Sequence, residues 1–171
     1  MEESNEALQK VVAIVRIVLV YLSLVFLMLL NASSIPIFEI GNITPYFLLM
    51  GIYFWTLSRP GLLPFYLSFL FGLALDFITG QTVGLNALCF LLISFVLFSQ
   101  RRFLKGQVWP VLWAGYGVAC LFVGFIHLLV FILSSGFHFP SLMPFLATAL
   151  VSVLAYPLMT VPMVAINKFF R

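Results

Sequence analysis

The chain has 171 residues, 64% of them hydrophobic and only 8% charged, with a mean hydropathy of +1.21. No soluble core of this length needs so much apolar surface, so the composition implies an all-α integral membrane protein with lipid as its solvent. The formal charge of +3 does not imply a nucleic-acid partner, because the basic residues are spread through short loops with no dense run among exposed aromatics.

Five polar interruptions divide the sequence into six expected transmembrane helices in one domain, residues 1–171. The leading residues Glu2, Glu3 and Glu6 are acidic where a signal peptide is basic, so the first apolar segment, Val11 to Leu30, is read as a span and not as a cleaved leader. A polar segment ending at Thr44 precedes the second span, Pro45 to Leu57, which is short for a bilayer crossing unless it tilts or the bilayer thins. Ser58 to Gly61 reads as a tight turn, with Pro60 placed to start the third span, Gly61 to Thr79. Gly80 to Gly84 turns the chain into the fourth span, Leu85 to Ser99, and Gln100 to Gly106 follows as a basic loop. The fifth span covers Val108 to Leu133, and the sixth covers Leu142 to Ile166 with Pro157 and Pro162 expected to bend it.

The positive charges orient this partition. Lys10, Arg16, Arg59, Arg101, Arg102, Lys105, Lys168 and Arg171 all fall on one side, and the loops of the other side carry Glu39, Gln81 and His138 with no Lys or Arg. Both termini are therefore expected in the cytoplasm. Trp55, Trp109 and Trp113 fall near the same inner interface, as an aromatic belt would.

Asp76 is the one acidic residue after Glu39, and it lies in the third span. Pro64, Ser68, Gly72, Asp76 and Gly80 recur every fourth residue and form one stripe of a helix. An ionisable group in a span is costly and marks a functional-site candidate, and small neighbours let another backbone come close to it. Asp76 lies 17 residues beyond Arg59, so about 25 Å along the helix, in the outer half of the bilayer. Asn86, early in the fourth span, and His127, late in the fifth, reach the same depth, and a polar cluster of the three is expected there. The architectural alternative is that Asp76 accepts hydrogen bonds from the backbone that opens the fourth span. A partner contact and a transported proton are the other readings, and His127 also reads as a packing residue. Arg16 enters from the inner side and is expected to snorkel rather than pair with Asp76.

The fifth span carries a second small face of Gly115, Gly117, Ala119, Cys120 and Gly124, which fits close contact either within the protein or with a partner's span. Cys89 and Cys120 read as small buried hydrophobes. No nucleophile–base pair, phosphate loop, metal set or carboxylate pair is apparent, so no catalytic residue, cofactor or metal site is expected.

Arg59-Pro60-Gly61 with Pro64, then Phe71-Gly72 and Asp76, then Gly80, then Gly84-Leu85-Asn86-Ala87-Leu88 resemble the signature region of the rod shape-determining MreD family. The chain length and six-span hydropathy are similar too. The resemblance implies a non-catalytic subunit of the bacterial inner membrane, acting in the cell-elongation machinery with MreC, with RodA and its transpeptidase partner, and indirectly with MreB. A fold similar to the substrate-binding subunits of energy-coupling-factor transporters is also implied. That likeness supplies a compact six-helix bundle and an alternative function, vitamin binding. The first span lacks the Ala-xxx-Ala patch that such a subunit uses toward its coupling partner. Whether the chain forms a homodimer stays open.

Overall fold

The computed structural model describes residues 2–33, 44–104, 106–134 and 142–169, with the side chains of residues 2–10, 13 and 169 left aside. Six helices follow one another: α1 (Glu2–Ala32), α2 (Phe47–Ser58), α3 (Phe65–Thr79), α4 (Leu85–Leu104), α5 (Trp109–Ser134) and α6 (Met143–Phe169). Among the described residues, α1, α4, α5 and α6 are long and apolar enough to cross a membrane, and α2 and α3 are shorter apolar helices. Of the charged and polar residues used to orient the chain, Glu39, Lys105, His138 and Arg171 lie outside the described residues.

Three boundaries differ from expectation by four residues or more. The third helix starts at Phe65, because Pro64 rather than Pro60 stands at its N-cap and residues 60–63 form a turn. The fourth runs on to Leu104, so Arg101 and Arg102 sit in a last helical turn instead of a loop. Cations there face the negative end of the helix dipole. The first begins at Glu2, nine residues before the apolar run.

The shortness of α2 has a physical reason. Ten of its residues, from Phe47 to Leu57, are buried, and it packs against α1, α4 and α6. Because α2 is enclosed by protein and not by lipid, lipid thickness does not set its length. Tyr53 of α2, Tyr116 of α5 and Tyr156 of α6 form the centre. The rings of Tyr116 and Tyr156 stack at 4.3 Å, and Tyr53 meets both edge-on.

Hydrogen bonds set the register. Asn31 Oδ1 accepts the Leu48 N–H at 3.3 Å and Ser23 Oγ accepts the Trp55 indole at 3.0 Å, so α1 and α2 are antiparallel. Ser152 Oγ accepts the Tyr46 N–H at 2.9 Å and Asn167 Oδ1 accepts Arg59 Nε at 3.1 Å, so α2 and α6 run parallel. The bundle thus has a polar end, with Asn31, Tyr46 and Ser152, and a basic end, with Arg59 and Lys168. Leu22, Phe26, Phe77, Phe95, Val118 and Leu150 are exposed and form the apolar exterior.

Two tryptophans depart from the belt reading. Trp55 is fully buried. Trp113 donates its indole N–H to the Val153 carbonyl at 2.8 Å. Pro157 lacks the N–H that would bond that carbonyl four residues back. Trp113 therefore supplies the donor that α6 cannot. Trp113→Phe should strand this carbonyl and lower stability by about 1–3 kcal/mol, read as a fall in the thermal unfolding midpoint in detergent. An unchanged midpoint would reject that role.

Candidate functional site

The site grows from the stripe on α3. Ser68, Gly72 and Asp76 are buried and face α4, the helix that α3 packs against most closely. A Cβ on Gly72 would lie 2.5 Å from Ala87 Cα, 2.7 Å from Ala87 N and 2.9 Å from the Asn86 carbonyl carbon. The backbones touch, and only glycine permits it. Two turns later Gly80 ends α3 with φ 65° and Gly84 carries φ 94°, both in the left-handed region that favours glycine.

This hairpin brings the start of α4 onto Asp76, which is fully buried. Oδ2 accepts the Gly84 N–H at 2.9 Å and the Ala87 N–H at 3.4 Å. Oδ1 accepts the Asn86 N–H at 3.3 Å and the Asn86 side-chain Nδ2–H at 2.7 Å. An N-cap side chain ordinarily accepts from the second and third amides of its own helix. In α4 those are Asn86 and Ala87, and the residue before the helix is Gly84, which has no side chain. Asp76 therefore acts as the N-cap of α4 from the preceding helix. Both carboxylate oxygens are occupied by N–H donors.

Asn86 also donates to Gln81 Oε1 at 3.4 Å. Beside this pair a cavity of about 170 Å³ opens at the polar end, bordered by Asn31, Tyr46, Thr79, Gln81, Asn86 and His127 among others. His127 shares the cavity wall with Asn86, yet its Nδ1 bonds the Val123 carbonyl of its own helix at 2.9 Å, and its ring lies 6.1 Å from that of Tyr46. The structure thus joins Asp76 to Asn86 directly and brings His127 to the same cavity without a bond to the carboxylate. Arg16 belongs to the other end: Tyr21, five residues on along α1, donates to the Leu62 carbonyl at 3.0 Å in the turn before α3.

The small face of α5 points inward. A Cβ on Gly115 would meet the Tyr53 hydroxyl at 2.6 Å, one on Gly117 would meet Val153 at 3.5 Å, and one on Gly124 the Phe145 carbonyl at 3.9 Å. Ala119 and Cys120 are buried as well. This face therefore packs on α2 and α6 of the same chain. Among the described residues no group of three His, Cys, Asp or Glu could hold a metal.

A family model described as rod shape-determining protein MreD matches residues 12–169, nearly the whole chain. The chain belongs to the MreD family. Membership gives it a role in rod shape determination, and the apolar helices make it a membrane protein. No curated protein and no solved structure matches it. The MreD signature read from the sequence maps onto the α3–α4 hairpin just described.

Sequence reasoning missed Asn31, Tyr46 and Ser152, which together secure the start of α2. Asn31 was readable only as the first residue of the polar segment after the first span, and Ser152 as an isolated serine in an apolar helix. Their partners are distant in sequence, so no local pattern could pair them.

Two substitutions separate the roles on the stripe. Gly72→Ala should force α3 and α4 apart and cost about 1–3 kcal/mol. Ser68→Ala removes a buried hydroxyl that has no hydrogen-bond partner among the described residues, so it should leave stability unchanged or higher. Thermal unfolding in detergent measures both, and equal losses would contradict this reading. By the same assay Asp76→Ala, which strands the α4 amides, should cost about 1–3 kcal/mol, and Asp76→Asn less.

Proposed function

We propose that this MreD-family chain is a non-catalytic scaffold of the cell-elongation machinery. It crosses the cytoplasmic membrane six times with both termini inside, and it binds MreC through the polar end of the α3–α4 hairpin. Through MreC it helps position RodA and its transpeptidase partner and is linked indirectly to MreB. The observation that carries this reading is the commitment of Asp76. Both carboxylate oxygens are taken up in holding α4 onto α3, which suits a rigid binding surface.

The topology rests on charge. Arg59, the Arg101–Arg102 turn and Lys168 lie at helix C-termini, and the Arg59–Asn167 bond draws two of those ends together. The positive-inside rule then assigns the basic end to the cytoplasm and the Asp76 end to the outside. MreC, as a partner with a large domain outside the membrane, would meet the Asp76 end. Family membership supports the setting; the hairpin supports the surface.

The alternative, a vitamin-binding transporter subunit, draws on the polar cavity beside Asn86 and His127. Its volume of about 170 Å³ falls below the roughly 300–1,000 Å³ of small-molecule pockets. Stabilisation of the purified protein by one vitamin in a thermal-shift screen would favour that function over the scaffold.

The scaffold reading is tested at the hairpin. Asp76→Ala should reduce recovery of MreC in mild detergent and round up rod-shaped cells. Val83, exposed at the tip of the Gly80–Gly84 turn, offers a variant that spares the fold: Val83→Asp should weaken MreC recovery while the unfolding midpoint stays at the wild-type value. Normal MreC recovery and normal cell shape in both variants would overturn the proposal.

A further inference from the structure

The cavity beside Asn86 holds more hydrogen-bonding capacity than the fold uses. Its volume of about 170 Å³ exceeds the roughly 30 Å³ of one water molecule and falls short of a small-molecule pocket. Its wall draws polar side chains from five segments, among them Asn31 of α1, Gln81 of the glycine-bounded turn, Asn86 of α4, His127 of α5 and Thr148 of α6.

Each of these side chains has an atom to spare. Asn86 is 5% exposed, and its Nδ2 hydrogens go to Asp76 Oδ1 and Gln81 Oε1. Its Oδ1 has no hydrogen-bond partner among the described residues. His127 presents Nδ1 to the Val123 carbonyl, which can only accept, so Nδ1 carries the hydrogen and Nε2 of the neutral ring is an unused acceptor. Asn31 and Gln81 use their side-chain oxygens on the Leu48 N–H and on Asn86, which leaves both of their NH2 groups as unused donors. The Thr148 hydroxyl has no partner among the described residues either. No Asp, Glu, Lys or Arg borders the cavity among the described residues, and both oxygens of Asp76, behind Asn86, are occupied. A charged guest would enter without a counter-ion, which costs far more than burying a neutral group that finds its hydrogen bonds.

We propose that the cavity receives the carboxamide of an Asn or Gln side chain from the protein that meets the Asp76 end. Among neutral side chains only a carboxamide donates two hydrogen bonds and also accepts at a carbonyl oxygen. That inventory matches acceptors at Asn86 and His127 together with donors at Asn31 and Gln81. The space is of side-chain size, not of ligand size. Asn86 belongs both to the cavity and to the α3–α4 hairpin, so the socket continues the binding surface proposed above. A carboxamide guest presupposes that reading of the hairpin and adds the partner's chemistry to it.

Affinity for MreC, measured with full-length proteins in mild detergent, tests the socket, with thermal unfolding followed in parallel. His127→Phe removes one acceptor while keeping a ring and should weaken MreC binding about fivefold. Thr148→Phe fills the space and should weaken it about tenfold. Both unfolding midpoints should stay close to the wild-type value. Replacing one Asn or Gln of MreC by Leu should reproduce the His127→Phe loss, and combining the two changes should add little further loss. If Thr148→Phe lowers the midpoint, His127→Phe decides the affinity arm. MreC affinity unchanged in the cavity variants would overturn the socket, and the hairpin reading survives that result if Val83→Asp still weakens MreC. A loss reproduced only by replacing Lys, Arg, Asp or Glu of MreC would overturn the socket as well. A wild type with no affinity for MreC would overturn both.

Discussion

A helix end or a proline surrounded by apolar groups leaves an amide or a carbonyl that water does not reach, and the whole bundle is organised around meeting that need. Each such group described above finds its partner on a different helix. Asp76 of α3 holds the first amides of α4. Asn31 of α1 and Ser152 of α6 hold the start of α2. Trp113 of α5 serves the carbonyl that Pro157 leaves open in α6. In water these groups would be solvated, and the contacts would add little. In lipid they are obligatory, and they set the register that hydrophobic attraction cannot set where the surroundings are as apolar as the side chains.

The arrangement also separates the ends of the molecule. The inter-helix caps gather at one end, where they leave a small polar cavity and a tight glycine-bounded turn. The other end carries the cations. Between them α2 and the tyrosine centre form an interior with little room for change, because Gly115 lies against the Tyr53 hydroxyl and Gly72 against the α4 backbone. The scaffold role proposed above, which needs fixed surfaces, fits this rigidity better than a role that requires opening and closing around a substrate.

Much of this was readable in the residues themselves. The four-residue repeat of Pro64, Ser68, Gly72 and Asp76 identified the face that packs on α4, because small side chains beside an acid suit close protein contact and not lipid. The helix N-terminus beside Asp76 could be anticipated from Gly80 and Gly84. Boundaries were harder. Arg101 and Arg102 looked like a loop because charge leaves the bilayer there, yet charge and helix are compatible in a last turn. Trp55 and Trp113 looked like interface residues because of their depth. Their actual partners, Ser23 and the Val153 carbonyl, are 32 and 40 residues away, beyond the reach of any local pattern. His127 is a different case: depth placed it near Asn86, and its ring bonds the Val123 carbonyl one turn back in its own helix.

On the proposed six-span topology, the borrowed cap on α4 has a consequence for how the chain enters the membrane. While α3 is alone in the bilayer, its carboxylate has no amides to receive it and bears the full cost of leaving water. While α4 is alone, its first turn has no acceptor. Neither segment is comfortable as a solitary span, and each relieves the other only once residues 84–87 have emerged behind Thr79. Biogenesis is thereby biased toward insertion of the two as a closed pair, with the glycine turn leading. One side chain thus couples the insertion of two neighbouring segments.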